Sequence, residues 1–172
     1  AIKGSYDQAS TLLALAAKDA VSGYDFGVIP LFVMMGLLVS VADLGRDAFL
    51  AANALIGRMK GGLGVATVAA NAVFAAVTGV SIASAAVFTK VAVPEMIKLG
   101  YQPRFAVGVV AGSSVLGMLI PPSLLLIIYG LLSEQSIGDL FIAGIVPGLL
   151  LAAVFAIMIV LIANFAPSRV YV

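Results

Sequence analysis

The sequence predicts an all-α integral membrane protein, and three observations support this fold class. Of 172 residues, 63% are hydrophobic and only 10% are charged, and the mean hydropathy is +1.21, well above the level typical of soluble domains. Uncharged runs at residues 26–42, 105–133 and 140–168 approach or exceed the length of about 20 residues that a helix needs to cross a bilayer. The apolar runs are continuous rather than alternating, and Trp is absent, which disfavours a β-barrel.

Composition also limits the chemistry that the chain could perform. Cys and His are both absent, so disulfides, thiol chemistry, soft-metal sites and histidine acid–base catalysis are excluded. A nucleophilic serine would find no base in the membrane stretches, and we therefore expect neither an enzyme nor a bound cofactor. The net charge of +1 and the lack of any basic run longer than two residues predict no nucleic-acid partner.

The chain begins with a moderately polar lead-in segment at residues 1–25. A short helical pattern extends from about Asp7 to Val21 and is followed by the breaker Ser22–Asp25. We expect no signal peptide here, and the abrupt start is consistent with a fragment that lacks upstream spans. A first transmembrane helix is predicted over residues 26–42, with Pro30 near its start, where a helix tolerates proline best.

Residues 43–60 carry too many charges for a membrane span and are predicted to form an interfacial connector helix. The apolar residues still fall on one helical stripe, which favours a helix lying along the membrane surface. A solvated connector helix is an equal alternative. The charged residues are Asp43, Arg46, Asp47, Arg58 and Lys60, and the stripe consists of Leu44, Ala48, Ala51, Leu55 and Met59.

Residues 61–97 are predicted to form a re-entrant helical hairpin. The run from Gly61 to Thr89 is uncharged, yet basic residues flank it on both sides, Lys60 before it and Lys90 after it. Because basic residues favour the cytoplasmic side, a segment that enters and returns on one face fits better than a single transmembrane helix, which remains the alternative. The tip is expected between Thr78 and Ser84.

A broken transmembrane helix is predicted over residues 102–133. Pro121 and Pro122 have no backbone N–H, so the carbonyls of Gly117 and Met118 lose their intrahelical donors. Such freed backbone groups are tolerated inside a membrane only where they are buried or line a polar cavity. The alternative is a proline kink kept for packing.

The last predicted element is a transmembrane helix over residues 140–166. Glu134 and Asp139 precede this helix without a basic neighbour, whereas Arg169 follows it. The positive-inside rule therefore places Arg169 and the other flanking basic residues on the cytoplasmic side and the two acidic residues on the opposite side.

The two interruptions suggest where ligands could bind. Paired discontinuities in membrane helices supply ion and substrate ligands in secondary transporters. Hydroxyl and carbonyl oxygens are hard, neutral ligands that suit sodium, and the helix that starts near Pro122 and Ser123 directs its positive end toward the same space, where it would favour an anion. The alternative for Thr78, Ser81 and Ser84 is that small hydroxyl residues permit close helix packing.

Six motifs occur in a fixed order along the chain. They are Ile29–Gly36, Gly57–Leu63, Phe74–Ser81, Pro94–Met96 with Gly100–Tyr101, Leu119–Ser123 with Tyr129–Gly130, and Leu140–Gly148. Together they resemble the large membrane subunit of tripartite ATP-independent periplasmic (TRAP) transporters, a DctM-like chain, over about residues 26–150. This resemblance implies an ion-transporter-superfamily fold of two inverted repeats, of which one is covered here, each with a re-entrant hairpin and a broken helix.

The resemblance further implies sodium-driven symport of a small organic anion, such as a C4-dicarboxylate, sialic acid or another carboxylate, by an elevator mechanism. Expected partners are a periplasmic substrate-binding protein and a small membrane subunit, and the expected location is the bacterial inner membrane, which the protein crosses several times. The family often has Ser-Gly-Ser-Ser where this chain has Thr-Gly-Val-Ser. The implied sodium-binding residues are Thr78, Gly79, Ser81, Gly117, Ile120 and Pro122, and the implied substrate-binding residues are Ser84 and Ser123.

Two other functions remain open at this stage. One is a carrier of the same superfamily that works without a binding protein. The other is a non-transporting membrane scaffold, which would have no reason to place oxygen ligands at two breaks in the membrane.

Overall fold

A computed structural model describes residue 6, residues 8–15, residue 18 and residues 24–172, and these residues are overwhelmingly helical. The prediction of an all-α integral membrane protein is confirmed. From residue 24 onward, the order is α1 (Tyr24–Val41), α2 (Leu44–Ile56), α3 (Gly62–Thr78), α4 (Ser81–Lys98), α5 (Pro103–Ser114), α6 (Leu116–Leu119), α7 (Leu124–Ser133), α8 (Ile137–Phe165) and α9 (Pro167–Val170).

The predicted lead-in at residues 1–25 lies largely outside the described residues. Within it, residues 8–15 are helical, in agreement with the predicted pattern, and α1 already begins at Tyr24. Two segments in the described part are long and apolar enough to cross a membrane, the stretch Pro103–Ser133, which comprises α5 to α7, and the helix Ile137–Phe165. A third span results if α1 and α2 are counted together.

Helices α1 and α2 meet at an angle of 59°. The bend falls at Asp43, which adopts a left-handed conformation with φ of 55°. Helix α2 packs directly on the hairpin, because Phe49 is buried and a Cβ atom added to Gly45 would lie 3.3 Å from the ring of Phe74. The connector helix α2 therefore packs against both arms of the hairpin. The predicted location of α2 along the membrane surface stays a prediction.

Helices α3 and α4 form the hairpin, and only Gly79 and Val80 separate them. This tip is shorter than the predicted one because Ser81 already begins α4. Gly79 makes the reversal possible with a φ of 59°, a conformation that glycine adopts without strain. The arms pack through Phe74 and Phe88, whose rings meet edge to face at a centroid distance of 5.7 Å. With 17 residues, α3 is about 25 Å long at 1.5 Å per residue, shorter than a typical hydrocarbon core.

The second interruption lies at residues 120–123, as the proline pair predicts. Helix α6 ends at Leu119, Ile120 is extended, and α7 begins at Leu124. The last long helix, α8, starts three residues before the predicted position of 140, because Ser136 caps it by accepting a hydrogen bond from the backbone N–H of Asp139 at 3.3 Å. Helix α8 packs against both α6 and α7 and so covers the break.

The base of the hairpin is tied to the C-terminal tail. The backbone N–H of Gln102 donates to the carbonyl of Val170 at 2.8 Å, and that of Val172 donates to the carbonyl of Gly100 at 2.9 Å. The hydroxyl of Tyr171 accepts from the backbone N–H of Gly61 at 2.8 Å. Gly61 is the N-cap residue of α3 and has no side chain that could cap the helix. The hydroxyl of the distant Tyr171 instead accepts a hydrogen bond from the backbone N–H at this helix start.

Tyr101 also lies at the base of the hairpin. Together with Gly61, Gln102, Val170 and Tyr171 it forms what is called here the base cluster. Its ring lies 4.8 Å from that of Tyr171, and the backbone of Leu63 hydrogen-bonds to its hydroxyl. Burial raises the pKa of the Tyr101 hydroxyl above its ordinary value, and the hydrogen bond with Tyr171 raises it further. The Tyr101 hydroxyl therefore stays protonated at neutral pH and is available for hydrogen bonding.

We expect Tyr171→Phe to lower the stability of the full-length protein. The change leaves the buried N–H of Gly61 without its acceptor, which costs about 1–3 kcal/mol. Thermal unfolding of the purified protein in detergent measures the effect. Tyr129→Phe, at a side chain that is 58% exposed, is the matched control, and equal midpoints for the two variants would contradict the capping role.

Candidate functional site

The tip of the hairpin contacts the break in the second interrupted helix. The carbonyl of Gly79 accepts a hydrogen bond from the backbone N–H of Leu124 at 3.1 Å. A Cβ atom added to Gly79 would strike the carbonyl oxygen of Pro122. One added to Gly117 would lie only 2.9 Å from the backbone nitrogen of Ser81. Two chain segments that are far apart in sequence thus meet backbone to backbone, at a contact called here the junction.

Four helix ends converge on the junction. Helix α3 ends at Thr78 and α6 at Leu119, while α4 begins at Ser81 and α7 at Leu124. Helix C-termini present carbonyl oxygens and a partial negative charge, whereas N-termini present N–H groups and a partial positive charge. The junction therefore offers ligands for a cation and for an anion within one small region.

Two hydroxyl groups satisfy backbone carbonyls beside the junction. The hydroxyl of Ser123 donates to the carbonyl of Met118 at 2.7 Å. This carbonyl is one of the two that the prolines deprive of an intrahelical donor, and the serine replaces the missing N–H. The hydroxyl of Thr78 donates to the carbonyl of Phe74 at 2.9 Å. Both side chains are fully buried.

A cavity of about 200 Å³ opens at the junction. Gly79 and Ser81 line it together with Val80 and mostly apolar residues of the broken helix, among them Met118 and Leu124. Val80, the residue that replaces a serine common in the resembled family, therefore faces the same space as Ser81.

The predicted site residues occupy three places. Gly79, Ser81, Gly117 and Pro122 come together at the junction. The side chains of Thr78, Ser84 and Ser123 are fully buried beside it, and the hydroxyl of Ser84 has no hydrogen-bond partner among the described residues. The side chain of Ile120 packs toward the last span, where a Cβ atom added to Gly148 would lie 2.9 Å from its Cγ1 atom.

Sequence reasoning missed one buried polar pair. The side-chain amide of Asn71 donates to the hydroxyl of Ser113 at 2.6 Å, and this hydroxyl donates in turn to the carbonyl of Val109 at 2.7 Å. The pair joins the first hairpin arm to the helix before the break, and the Oδ1 atom of Asn71 has no described partner. Asn71 is the single side-chain amide in the run from Gly61 to Thr89, and this exception to an apolar pattern was the available signal.

The described residues contain no cluster of three or more acidic, Cys or His side chains that could hold a metal ion. Any ligand at the junction would therefore meet neutral oxygens and N–H groups. A hairpin whose tip meets a broken helix inside an apolar helical protein is the arrangement that secondary transporters use. The fold and the junction thus define the class of membrane-embedded transporter subunits.

Comparisons with known proteins identify the family. Residues 3–168 match the family model of the tripartite ATP-independent periplasmic transporter, DctM component. The chain belongs to this family of TRAP transporter large permeases.

Three curated relatives illustrate the range of the family. The chain is 37% identical over 152 residues to the C4-dicarboxylate TRAP transporter large permease protein DctM of Pseudomonas aeruginosa, covering 88% of this chain and 36% of the relative. It is 35% identical to the sialic acid large permease SiaM of Vibrio cholerae, with coverage of 87% and 36%. It is 38% identical to the ectoine large permease TeaC of Halomonas elongata, with coverage of 78% and 32%. The chain thus spans about a third of the length of these relatives.

We expect Gly117→Ala to push the hairpin tip away from the break, because the added methyl group would lie 2.9 Å from the nitrogen of Ser81, closer than packed atoms tolerate. In a cysteine-free background of the full-length protein, Val80→Cys and Met118→Cys, which line one cavity, should cross-link with a short bifunctional reagent. Gly117→Ala should lower the yield. Gly138→Ala, which meets only one side-chain atom at 3.8 Å, is the control, and an unchanged yield for Gly117→Ala would contradict the close contact.

We also expect Asn71 and Ser113 to be energetically coupled. A double-mutant cycle with Asn71→Leu and Ser113→Ala in the full-length protein should give a coupling free energy of about 0.6–1.7 kcal/mol, the range for hydrogen bonds inside membranes. Unfolding in a denaturing detergent measures it. The same cycle with Asn71 and the distant Ser133 is the control, and additive effects for Asn71 and Ser113 would show that the hydrogen bond contributes nothing.

Proposed function

We propose that the complete protein performs sodium-driven secondary active transport of a small organic anion across the bacterial inner membrane. This segment would supply one ion site and one wall of the substrate site. The observation that carries the proposal is the junction, where the hairpin tip and the broken helix bring together backbone carbonyl oxygens and two helix N-termini. Among these oxygens, that of Gly117 lacks its intrahelical donor because Pro121 has no N–H. Such a combination serves little purpose in a protein that only provides packing surface.

A sodium ion is the cation that fits best. The junction offers neutral oxygen atoms and no carboxylate, thiolate or imidazole, and hard neutral oxygens suit a small cation of low charge. The proposed ligands are the hydroxyls of Thr78 and Ser81 and backbone carbonyls at the tip and the break, namely those of Gly79, Gly117, Ile120 and Pro122. Because Thr78 donates its proton to Phe74, its oxygen retains lone pairs for an ion.

The carbonyl of Gly117 is available for a separate reason. Four residues later in the chain stands Pro121, which has no N–H to donate. The carbonyl of Gly79 already accepts one hydrogen bond from Leu124, but a carbonyl oxygen has two lone pairs. Both oxygens can therefore contribute to a coordination shell without breaking an existing hydrogen bond.

The substrate class follows from the helix N-termini and from the relatives. Helices α4 and α7 both begin at the junction, and their N–H groups would stabilise an anionic group. The relatives are named for transport of C4-dicarboxylates, sialic acid, ectoine and isethionate, compounds that share a carboxylate or sulfonate group. We propose Ser84 and Ser123 as flanking substrate contacts, since Ser84 has an unpaired hydroxyl.

As in the family to which the chain belongs, a periplasmic binding protein would deliver the substrate and a small membrane subunit would complete the complex. An elevator motion of the hairpin and the broken helix as one body would carry the substrate across the bilayer. The packing of α3 against α2, α4, α5, α6 and α8 supports movement as a single unit. A carrier that works without a binding protein remains the second candidate within the same class.

Sodium should stabilise the full-length protein against heat more than choline does at equal ionic strength. In Ser81→Ala, the sodium concentration for half-maximal stabilisation should rise about tenfold, because a lost oxygen ligand weakens binding by about 1–1.5 kcal/mol. Ser133→Ala, in which the lost hydroxyl bonds only to the carbonyl of Tyr129, is the control.

The outcomes separate the candidates. If sodium and choline have equal effects on the parent protein, the sodium site is wrong. Uptake into proteoliposomes then distinguishes the carriers, since a TRAP-type carrier moves labelled organic anions only when its binding protein is added. A scaffold would show no uptake with or without it.

A further inference from the structure

A furrow on the surface of the described residues, lined by none of the junction residues, has the shape and charge of a lipid site. It lies between α5 and α8 and has a volume of about 300 Å³. Arg104 stands at one end, Gly108 and Gly112 form the floor, and Phe105, Phe155 and Ile162 form the walls. None of these residues belongs to the proposed ion site.

The glycine spacing explains the furrow. Arg104, Gly108 and Gly112 recur at intervals of four residues and therefore fall on one face of α5. A Cβ atom added to Gly108 would meet nothing within 4 Å, and one added to Gly112 would lie 3.5 Å from the ring of Phe155. The floor is thus open at Gly108, about 6 Å along the helix from Arg104, and the ring of Phe155 bounds it at Gly112.

The furrow is charged at one end only. Arg104 lies in the first turn of α5 and is exposed, and its side chain has no described carboxylate within salt-bridge distance, since the described ion pair is that of Lys98 with Glu95. Lys60 and Arg169 lie at the same end of the molecule, because their neighbours Gly61 and Val170 belong to the base cluster. The remaining lining is apolar.

We propose that this furrow binds one anionic phospholipid, with its phosphate on Arg104 and an acyl chain lying over Gly108 and Gly112. A guanidinium group matches a phosphate with two parallel hydrogen bonds, and basic pockets between membrane helices hold anionic head groups. A protein helix is a poorer fit, because with its side chains it is about 10 Å wide and would bury the charge of Arg104 without a partner.

The test uses the full-length protein, purified and stripped of lipid, with phosphatidylglycerol or phosphatidylcholine added back in mixed micelles. Phosphatidylglycerol should raise the thermal midpoint of the parent protein more than phosphatidylcholine does. Arg104→Gln should require about fivefold more phosphatidylglycerol for the same shift, since one basic residue near anionic lipid contributes about a factor of this size. Gly108→Leu, which fills the furrow, should abolish the difference between the two lipids.

Two variants control for bulk and for charge. Val107→Leu adds bulk on the exposed face beside the furrow, and Arg58→Gln removes an exposed positive charge that does not line it; both should respond like the parent. Native mass spectrometry should find a retained phosphatidylglycerol in the parent and in both controls, but not in Gly108→Leu.

Three results would overturn the proposal. Arg58→Gln could weaken the response as much as Arg104→Gln, which would indicate diffuse surface charge instead of a site. Gly108→Leu could keep the full preference for phosphatidylglycerol. It could also lower the midpoint strongly in the absence of lipid, which would show that another part of the full-length protein already fills the furrow.

Discussion

The structure depends on one constraint, that backbone N–H and C=O groups cannot remain unpaired in a low-dielectric interior. Two interrupted helices expose such groups at the hairpin tip and at the proline break. The fold resolves these defects in two ways: the N–H of Leu124 donates to the carbonyl of Gly79 across the junction, and the hydroxyl of Ser123 donates to the carbonyl of Met118 within the break itself. Each interruption would be costly alone, and their pairing explains why they occur together in one chain.

Glycine makes this pairing possible on two sides. Gly79 and Gly117 allow the hairpin tip to approach the break. Gly144 and Gly148 allow the last span to cover the break from behind. A Cβ atom added to Gly144 would lie 2.8 Å from the carbonyl oxygen of Leu119, and one added to Gly148 would lie 2.9 Å from Ile120. The break is thus held between two backbone surfaces. If the tip or α8 moved away from the break, close backbone contacts would open, and the glycines at these contacts have no side chains to fill the gap.

Local chemistry made much of the fold predictable. The lack of N–H groups at Pro121 and Pro122 located the break, and the basic residues on both sides of a long uncharged run predicted the hairpin. The partners could not be predicted, because they are distant in sequence. Tyr171 caps Gly61 across 110 positions, and Asn71 meets Ser113 across 42. The same limit applies to the candidate site. Sequence reasoning named all of its residues but could not separate Gly79, Ser81, Gly117 and Pro122, which meet, from Thr78, Ser84 and Ser123, which lie behind them.

The hydrogen bonds of Thr78 and Ser123 bear on the proposed ion site. A hydroxyl group carries a single proton, and each of these residues commits that proton to a backbone carbonyl. What remains on each oxygen is lone-pair density, which at Thr78 would favour a cation and at Ser123 could accept a hydrogen bond from a hydroxyl or amide group of a substrate. Ser84, whose hydroxyl is unpaired among the described residues, keeps a proton that it could donate to an anionic group. The orientation of the hydroxyl protons would therefore help to separate cation from anion at the proposed site without a charged side chain.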